Sequence, residues 1–194
     1  MLKKEGACFG QVAGFESPLW YAIDGEKPEF KYSFGYQNWY KSAQNETVNT
    51  RKNVGFFELT PFAKFEIEGE AAYSSLQYLC SNDIKNNDGA ITYTQMLNSK
   101  GGIEADLSVT CISKNKFRII TGSGVREHDK KHILRYLDQD IKFTDITDSY
   151  SCFGIFGPKS RSLLTQMVGN EFENNKFPFG TGKFLKINNI DIWF

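Results

Sequence analysis

Tyr93-Thr-Gln-Met-Leu-Asn-Ser-Lys-Gly-Gly-Ile-Glu-Ala-Asp106-Leu-Ser-Val-Thr110 is the run on which the fold turns. It reads as a strand over 91–98, a tight connection through Ser99, Lys100, Gly101 and Gly102, and a second strand over 103–112. Glycine tolerates positive φ, so a Gly pair at a chain reversal has a mechanical reason. In the second strand Ile103, Ala105, Leu107, Val109 and Cys111 fall on one face. Glu104, Asp106, Ser108 and Thr110 fall on the other. With a loop of 99–102, Asn98 is expected opposite Ile103, Gln95 opposite Asp106 and Tyr93 opposite Ser108. Cross-strand partners point to the same side. Tyr93, Gln95, Asp106 and Ser108 are therefore expected to share a face, with Tyr93 diagonal to Asp106, and a one-residue slip would break the arrangement. On pattern alone the plainer reading, the solvated polar face of a half-buried hairpin, stands ahead of a functional one.

The chain has 194 residues, enough for one domain with a real core or for part of a larger one. Lys plus Arg and Asp plus Glu both number 23, so the net charge is zero, and no basic stripe argues for nucleic acid or an acidic membrane surface. With 17 Phe, 9 Tyr and 3 Trp the apolar mass is too great for a disordered chain. The cysteines Cys8, Cys80, Cys111 and Cys152 form no Cys-x-x-Cys pair, and the only histidines are His128 and His132, which argues against a zinc site. Cys111 lies on the apolar side of its strand and reads as core filler. The start, Met-Leu-Lys-Lys-Glu-Gly, lacks a signal-peptide apolar region, and no run is long enough to span a bilayer. A reducing cytoplasm is the expected compartment.

Residues 1–45 are rich in Gly and aromatics and read as an N-terminal wrap or linker, with 46–194 as the main domain. Trp20, Trp39 and Tyr40 need a partner surface, and local packing on the chain's own core is the favoured one. A short helix is expected over 46–53, and Thr60-Pro61-Phe62 marks a turn. Further along, alternation or helical spacing predicts a strand at 65–68, a helix at 70–80, a strand at 116–121, a helix at 127–137 and strands at 141–146 and 150–156. Gly157-Pro158 opens a helix running to about Val168. Phe184–Ile187 and Ile190–Trp193 predict a hairpin about Asn188-Asn189. From Phe65 the order is strand, helix, three strands, helix, strand: an α+β pattern of mixed or antiparallel sheets with packed helices, close to a split β-α-β unit with an added strand. The apolar end at Phe194 reads as a C-terminally incomplete fold or a subunit needing a partner.

Several spaced motifs, in one order, resemble the folate-binding part of the aminomethyltransferase superfamily. They are Glu16-Ser-Pro-Leu-Trp-Tyr-Ala22, Val54-Gly-Phe-Phe-Glu-Leu-Thr-Pro-Phe-Ala-Lys-Phe65, the 93–107 run, Phe156-Gly-Pro-Lys-Ser-Arg161 and Phe177-Pro-Phe179. That superfamily contains the glycine-cleavage T-protein and the folate domains fused to FAD-dependent dimethylglycine and sarcosine dehydrogenases, and the likeness is stronger to the fused type. The resemblance implies tetrahydrofolate as cofactor and Asp106 as the carboxylate beside the pterin. It further implies that Tyr93, Ser108 and Phe62 line the same pocket. The reaction implied is capture of an amine-derived iminium carbon as 5,10-methylenetetrahydrofolate, with FAD held only by a domain or subunit outside this chain. A T-protein-like aminomethyltransferase and a truncated, non-catalytic remnant are the alternatives. The family's Asp-x-Ser turn is Glu58-x-Thr60 here, and its later pterin-holding glutamate segment lies beyond Phe194. A pterin pocket lacking that wall is expected to bind folate poorly.

Other candidates read more plainly. His128 and His132 share a helix face but make a poor metal site with two ligands, and are expected to be solvated. Thr121-Gly-Ser-Gly124 lacks phosphate-loop patterns and reads as a turn. Lys159 and Arg161 could reach a folate tail, though a surface role at a helix start is expected. Glu66, Glu68 and Glu70 are expected to be solvated rather than to work as paired acids.

Overall fold

The computed structural model describes every residue except Asp24. In chain order the strands are β1 (Ala7–Val12), β2 (Phe15–Tyr21), β3 (Gly55–Glu58), β4 (Ala63–Glu68), β5 (Ile91–Leu97), β6 (Ile103–Ser113), β7 (Lys116–Thr121), β8 (Lys142–Asp145), β9 (Phe153–Phe156), β10 (Phe184–Ile187) and β11 (Ile190–Trp193). The helices are α1 (Tyr40–Lys52), α2 (Ala72–Leu79), α3 (Arg126–Tyr136) and α4 (Ser160–Val168). By contacts the chain divides into two units, Met1–Pro61 with Ser151–Leu164, and Phe62–Tyr150 with Thr165–Phe194.

In the first unit, β1 and β2 form an antiparallel hairpin that closes through Ala13 and Gly14, both at positive φ. The 1–45 stretch thus carries regular structure that weak alternation concealed. Ala7, Cys8 and Trp20 are buried there. Phe30, Tyr32 and Trp39 pack ring against ring, and Tyr36 packs on Tyr40, so these aromatics meet one another locally. The helix expected from residue 46 begins at Tyr40. Its only buried residue is Ser42, so it has no apolar stripe by which periodicity could mark its start. β3 pairs with β9 as a separate antiparallel ribbon, with Phe56 stacked on Phe153 and Phe57 edge-on to Phe156. The turn after β3 is held by Glu58: its carboxylate accepts the Thr60 N–H at 2.8 Å and the Ser17 hydroxyl at 2.9 Å. Glu58 thus acts as a side-chain turn cap, the role the shorter Asp fills in an Asx turn.

The second unit is built on a five-stranded antiparallel sheet of order β5-β6-β7-β4-β8. The chain order β4-α2-β5-β6-β7-α3-β8 is the one expected. Alternation sends Phe65 and Ile67 of β4, Phe117 and Ile119 of β7, and Ala105, Leu107, Val109 and Cys111 of β6 to one side. There they join Ala72, Leu76 and Leu79 of α2 and Ile133 of α3 in one core. The outer edge of β5 is blocked at both ends: Ile91 N–H donates to the Gly180 carbonyl at 2.8 Å and Ser81 N–H to the Gln95 carbonyl at 2.8 Å. Such cover keeps an edge from recruiting another strand. β10 and β11 form the expected hairpin, with Asn188 at φ 48° and Asn189 at φ 65°, the left-handed pair that a two-residue turn demands. Among the described residues no helix is long and apolar enough to cross a membrane.

Candidate functional site

The β5–β6 register places Tyr93 opposite Ser108 and Gln95 opposite Asp106, as the loop length predicts. One detail differs. A bulge shifts the pairing between Met96 and Leu97, so Leu97 rather than Asn98 opposes Ile103. Glu104 is the extra residue that the bulge accommodates. Asn98 is thereby released to organise the loop. Its Oδ1 accepts the N–H of Lys100 at 2.9 Å and of Gly102 at 3.0 Å, and its Nδ2 donates to Glu104 at 2.9 Å. Gly101, at φ 79°, supplies the left-handed residue.

The face opposite the helices now assembles. Tyr93, Ser108, Ile120 and Lys64 form one cross-strand row over β5, β6, β7 and β4. Asp106 and Gln95 stand in the next row, and Gln95 Nε2 donates to Asp106 Oδ1 at 3.2 Å. The Asp106 carboxylate is within hydrogen-bonding reach of the Tyr93 phenol and raises its pKa above the ordinary value. Both side chains are open to solvent, Tyr93 at 63%. Asn82 fixes the strand beneath: its Nδ2 donates to the Tyr93 carbonyl at 3.0 Å, and its N–H donates to Thr94 Oγ1 at 3.1 Å.

Phe62 immediately precedes β4 at the level of Asp106, because Ala63 pairs with Thr121 and Thr121 with Leu107. Two strand spacings of ~4.8 Å put it about 10 Å from Asp106 across the face. Phe62 and Asp106 therefore lie apart, whereas Asp106 is hydrogen-bonded to Gln95 and lies diagonally across the strands from Tyr93. Lys64 is only 3% exposed. Its ammonium donates to the carbonyl of Phe62 at 2.8 Å and of Thr147 at 3.3 Å.

The neighbouring row of the same face holds a charged group that sequence reading missed. Arg118 Nη2 donates to Glu66 Oε1 at 2.7 Å, Lys116 meets Glu66 Oε2 at 2.8 Å, and the Tyr150 ring lies 4.9 Å from the Arg118 guanidinium carbon. Glu66, expected to be solvated, is thus paired. Partial burial alone would raise its pKa, but the hydrogen bonds from Lys116 and Arg118 prevail and hold it below the usual carboxylate range. Alternation in Phe65-Glu-Ile-Glu68 put Glu66 on this face, yet its cationic partners come from β7, some fifty residues on. Of the two histidines, His128 is exposed as expected while also meeting Asp129 and Glu104, whereas His132 is buried against Tyr136.

The comparisons with known proteins can be set beside this geometry. The GCVT N-terminal domain family matches residues 1–194. The chain is 32% identical over 187 residues to a 4-methylaminobutanoate oxidase (formaldehyde-forming) of Paenarthrobacter nicotinovorans, covering 96% of this chain and 23% of that protein. It is 32% identical over 196 residues to a mitochondrial dimethylglycine dehydrogenase of Rattus norvegicus, covering 97% of this chain and 22% of that protein. The chain therefore spans about a quarter or less of the length of these relatives. The crystal structure of the glycine cleavage aminomethyltransferase T of Bartonella henselae superposes with a TM-score of 0.72 at 21% identity, over 93% of this chain and 44% of that one, which is a likeness of fold. With a family match running over residues 1–194, the chain belongs to the GCVT N-terminal domain family.

Proposed function

We propose that this domain binds tetrahydrofolate on the Asp106–Tyr93 face and assists transfer of a one-carbon unit derived from an N-methyl amine. The observation that carries the reading is the Asp106, Gln95 and Tyr93 cluster on one rigid hairpin face, with Phe62 about 10 Å away across two strands. When bound, tetrahydrofolate would supply the nucleophilic nitrogens that take up the iminium carbon, releasing the demethylated amine and one proton and giving 5,10-methylenetetrahydrofolate. Asp106 offers a fixed anion beside them. It stabilises positive charge on the attacking nitrogen and takes its proton, roles worth about 10²–10⁴ in rate for one general base. Tyr93 gives a flat wall with a polar tip, Ser108 a hydroxyl one row away, and Phe62 an apolar limit to the far side. The relatives' names support a methylated amine as the carbon source. Oxidation of that amine requires FAD, which would be held outside this chain by another domain or subunit. The compartment we propose is a reducing one such as the cytoplasm; a native disulfide among Cys8, Cys80, Cys111 and Cys152 would count against it.

Because Asp106 and Tyr93 stand exposed, binding by this chain alone is expected to be weak. The suitable measurement is NMR titration with tetrahydrofolate. Shifts should concentrate at Tyr93, Gln95, Asp106 and Ser108, and Asp106→Asn should weaken them at least tenfold, or about 1.4 kcal/mol. Shifts scattered elsewhere, or identical shifts in Asp106→Asn, would refute the assignment. The T-protein-like alternative, supported by the fold likeness alone, would require recognition of a lipoyl-borne aminomethyl group.

A further inference from the structure

A second group of ionisable side chains lies at the loop end of the same hairpin, where β6 extends beyond the last residue of β7. His128, in the first turn of α3, has Nδ1 at 3.0 Å from Asp129 Oδ1 and Nε2 at 3.1 Å from Glu104 Oε2. Asp129 is fully buried, and its other oxygen accepts the Thr121 hydroxyl at the end of β7. Glu104 in turn accepts Asn98 Nδ2 at 2.9 Å, and Asn98 organises the Gly101-Gly102 loop. An unbroken chain of polar contacts thus runs from the loop through Glu104, His128 and Asp129 to β7 and α3.

The geometry sets the charge state. Both ring nitrogens of His128 face carboxylate oxygens. A neutral imidazole has one N–H and one lone pair, so it can donate to only one of them; the imidazolium donates to both. We propose that His128, as the imidazolium, is a positioning residue that clasps the start of β6 to α3 and so steadies the strand carrying Asp106. The groups facing His128 are Glu104 from β6 and Asp129 from its own helix; His132, four residues on along α3, acts electrostatically on Glu104 as well. Both carboxylates favour the protonated ring, Asp129 most strongly through its hydrogen bond, and raise its pKa above the ordinary value. A group raised on folding stabilises below its unfolded pKa and loses that contribution as pH rises through the folded one. On deprotonation the ring keeps Asp129, itself tied to Thr121, and gives up Glu104. The bulge makes this release local, since no β5 residue pairs with Glu104 in the backbone register.

The link to one-carbon transfer rests on the role given to Asp106; the clasp itself does not. The test is residue-by-residue hydrogen exchange by NMR on this chain without folate, corrected for intrinsic rates, alongside titration of the His128 ring. Protection over 102–106 should fall roughly threefold as pH rises through the His128 midpoint, while β7 amides at 117–120 do not follow. His128→Gln should remove the pH step and leave 102–106 at its high-pH protection, and Glu104→Gln should do the same. A step that persists in His128→Gln, or amides 102–106 that ignore the ring's titration, would overturn the proposal. Because no folate is present, failure of tetrahydrofolate binding would leave this result untouched.

Discussion

On one side of the five-stranded sheet, Phe65, Ile67, Phe117 and Ile119 are closed off by α2 and α3; on the other, Lys64, Glu66, Arg118, Ser108 and Asp106 present charge and hydroxyls. The same strands supply both faces by strict alternation, so the contrast is one of what each side chain needs. Apolar groups need only contact, which any neighbour of suitable shape provides. Charged groups need specific partners at specific distances, and Glu66 finds them in Arg118 and Lys116 while Asp106 keeps its carboxylate exposed. The core face makes the fold stable. The other face holds one charge cluster that is neutralised and one carboxylate left exposed to solvent.

That contrast can be broken most severely from the core side. Phe117→Ala should cost about 3–5 kcal/mol, since the ring is fully buried and the cavity it leaves cannot collapse within a rigid sheet. Urea unfolding measures this, and a loss below 1 kcal/mol would mean the helix-covered face is far looser than its packing implies.

On the open face, Arg118→Met should cost about 2 kcal/mol near pH 7, less than the usual price of breaking a buried pair because Lys116 still meets Glu66. The sign of its pH dependence follows from Glu66. A carboxylate whose pKa is lowered on folding contributes stability above its unfolded pKa and loses it as pH falls through the folded one. The gap between wild type and Arg118→Met should therefore narrow on acidification below the ordinary glutamate range. A gap that stays constant into acid would show that the guanidinium acts by packing under Tyr150 rather than by charge.

The smallest effect on stability should come from Asp106→Asn, within about 0.5 kcal/mol, because the side chain is exposed. The same variant should lower the Tyr93 phenol pKa toward its ordinary value, as the neighbouring carboxylate is what raises it. Titration of the Tyr93 ring resonances by NMR reads this, since nine tyrosines overlap in the ultraviolet. An unchanged Tyr93 titration would separate the acid from the ring and weaken the proposed site.

Much of this architecture was legible without coordinates. The period-two pattern of 103–111 located its buried face, and counting residues through the Gly-Gly loop set Tyr93 against Ser108 and Gln95 against Asp106. Both signals are local and depend on spacing along a single hairpin. α1 and the β1–β2 hairpin escaped because neither shows clean apolar periodicity, and the Leu97–Ile103 bulge escaped because it depends on how Asn98 folds into the loop.

By itself the amino-acid order determined the succession of elements from β4 to β8 and which side of each strand faces the helices, because steric alternation acts between adjacent residues. Only the tertiary structure decided that Arg118 would neutralise Glu66, that Lys64 would bind the Thr147 carbonyl, and that His128 would reach Glu104. Those contacts join residues tens of positions apart, and an ion pair or hydrogen bond depends on ångström-scale placement that linear spacing does not encode.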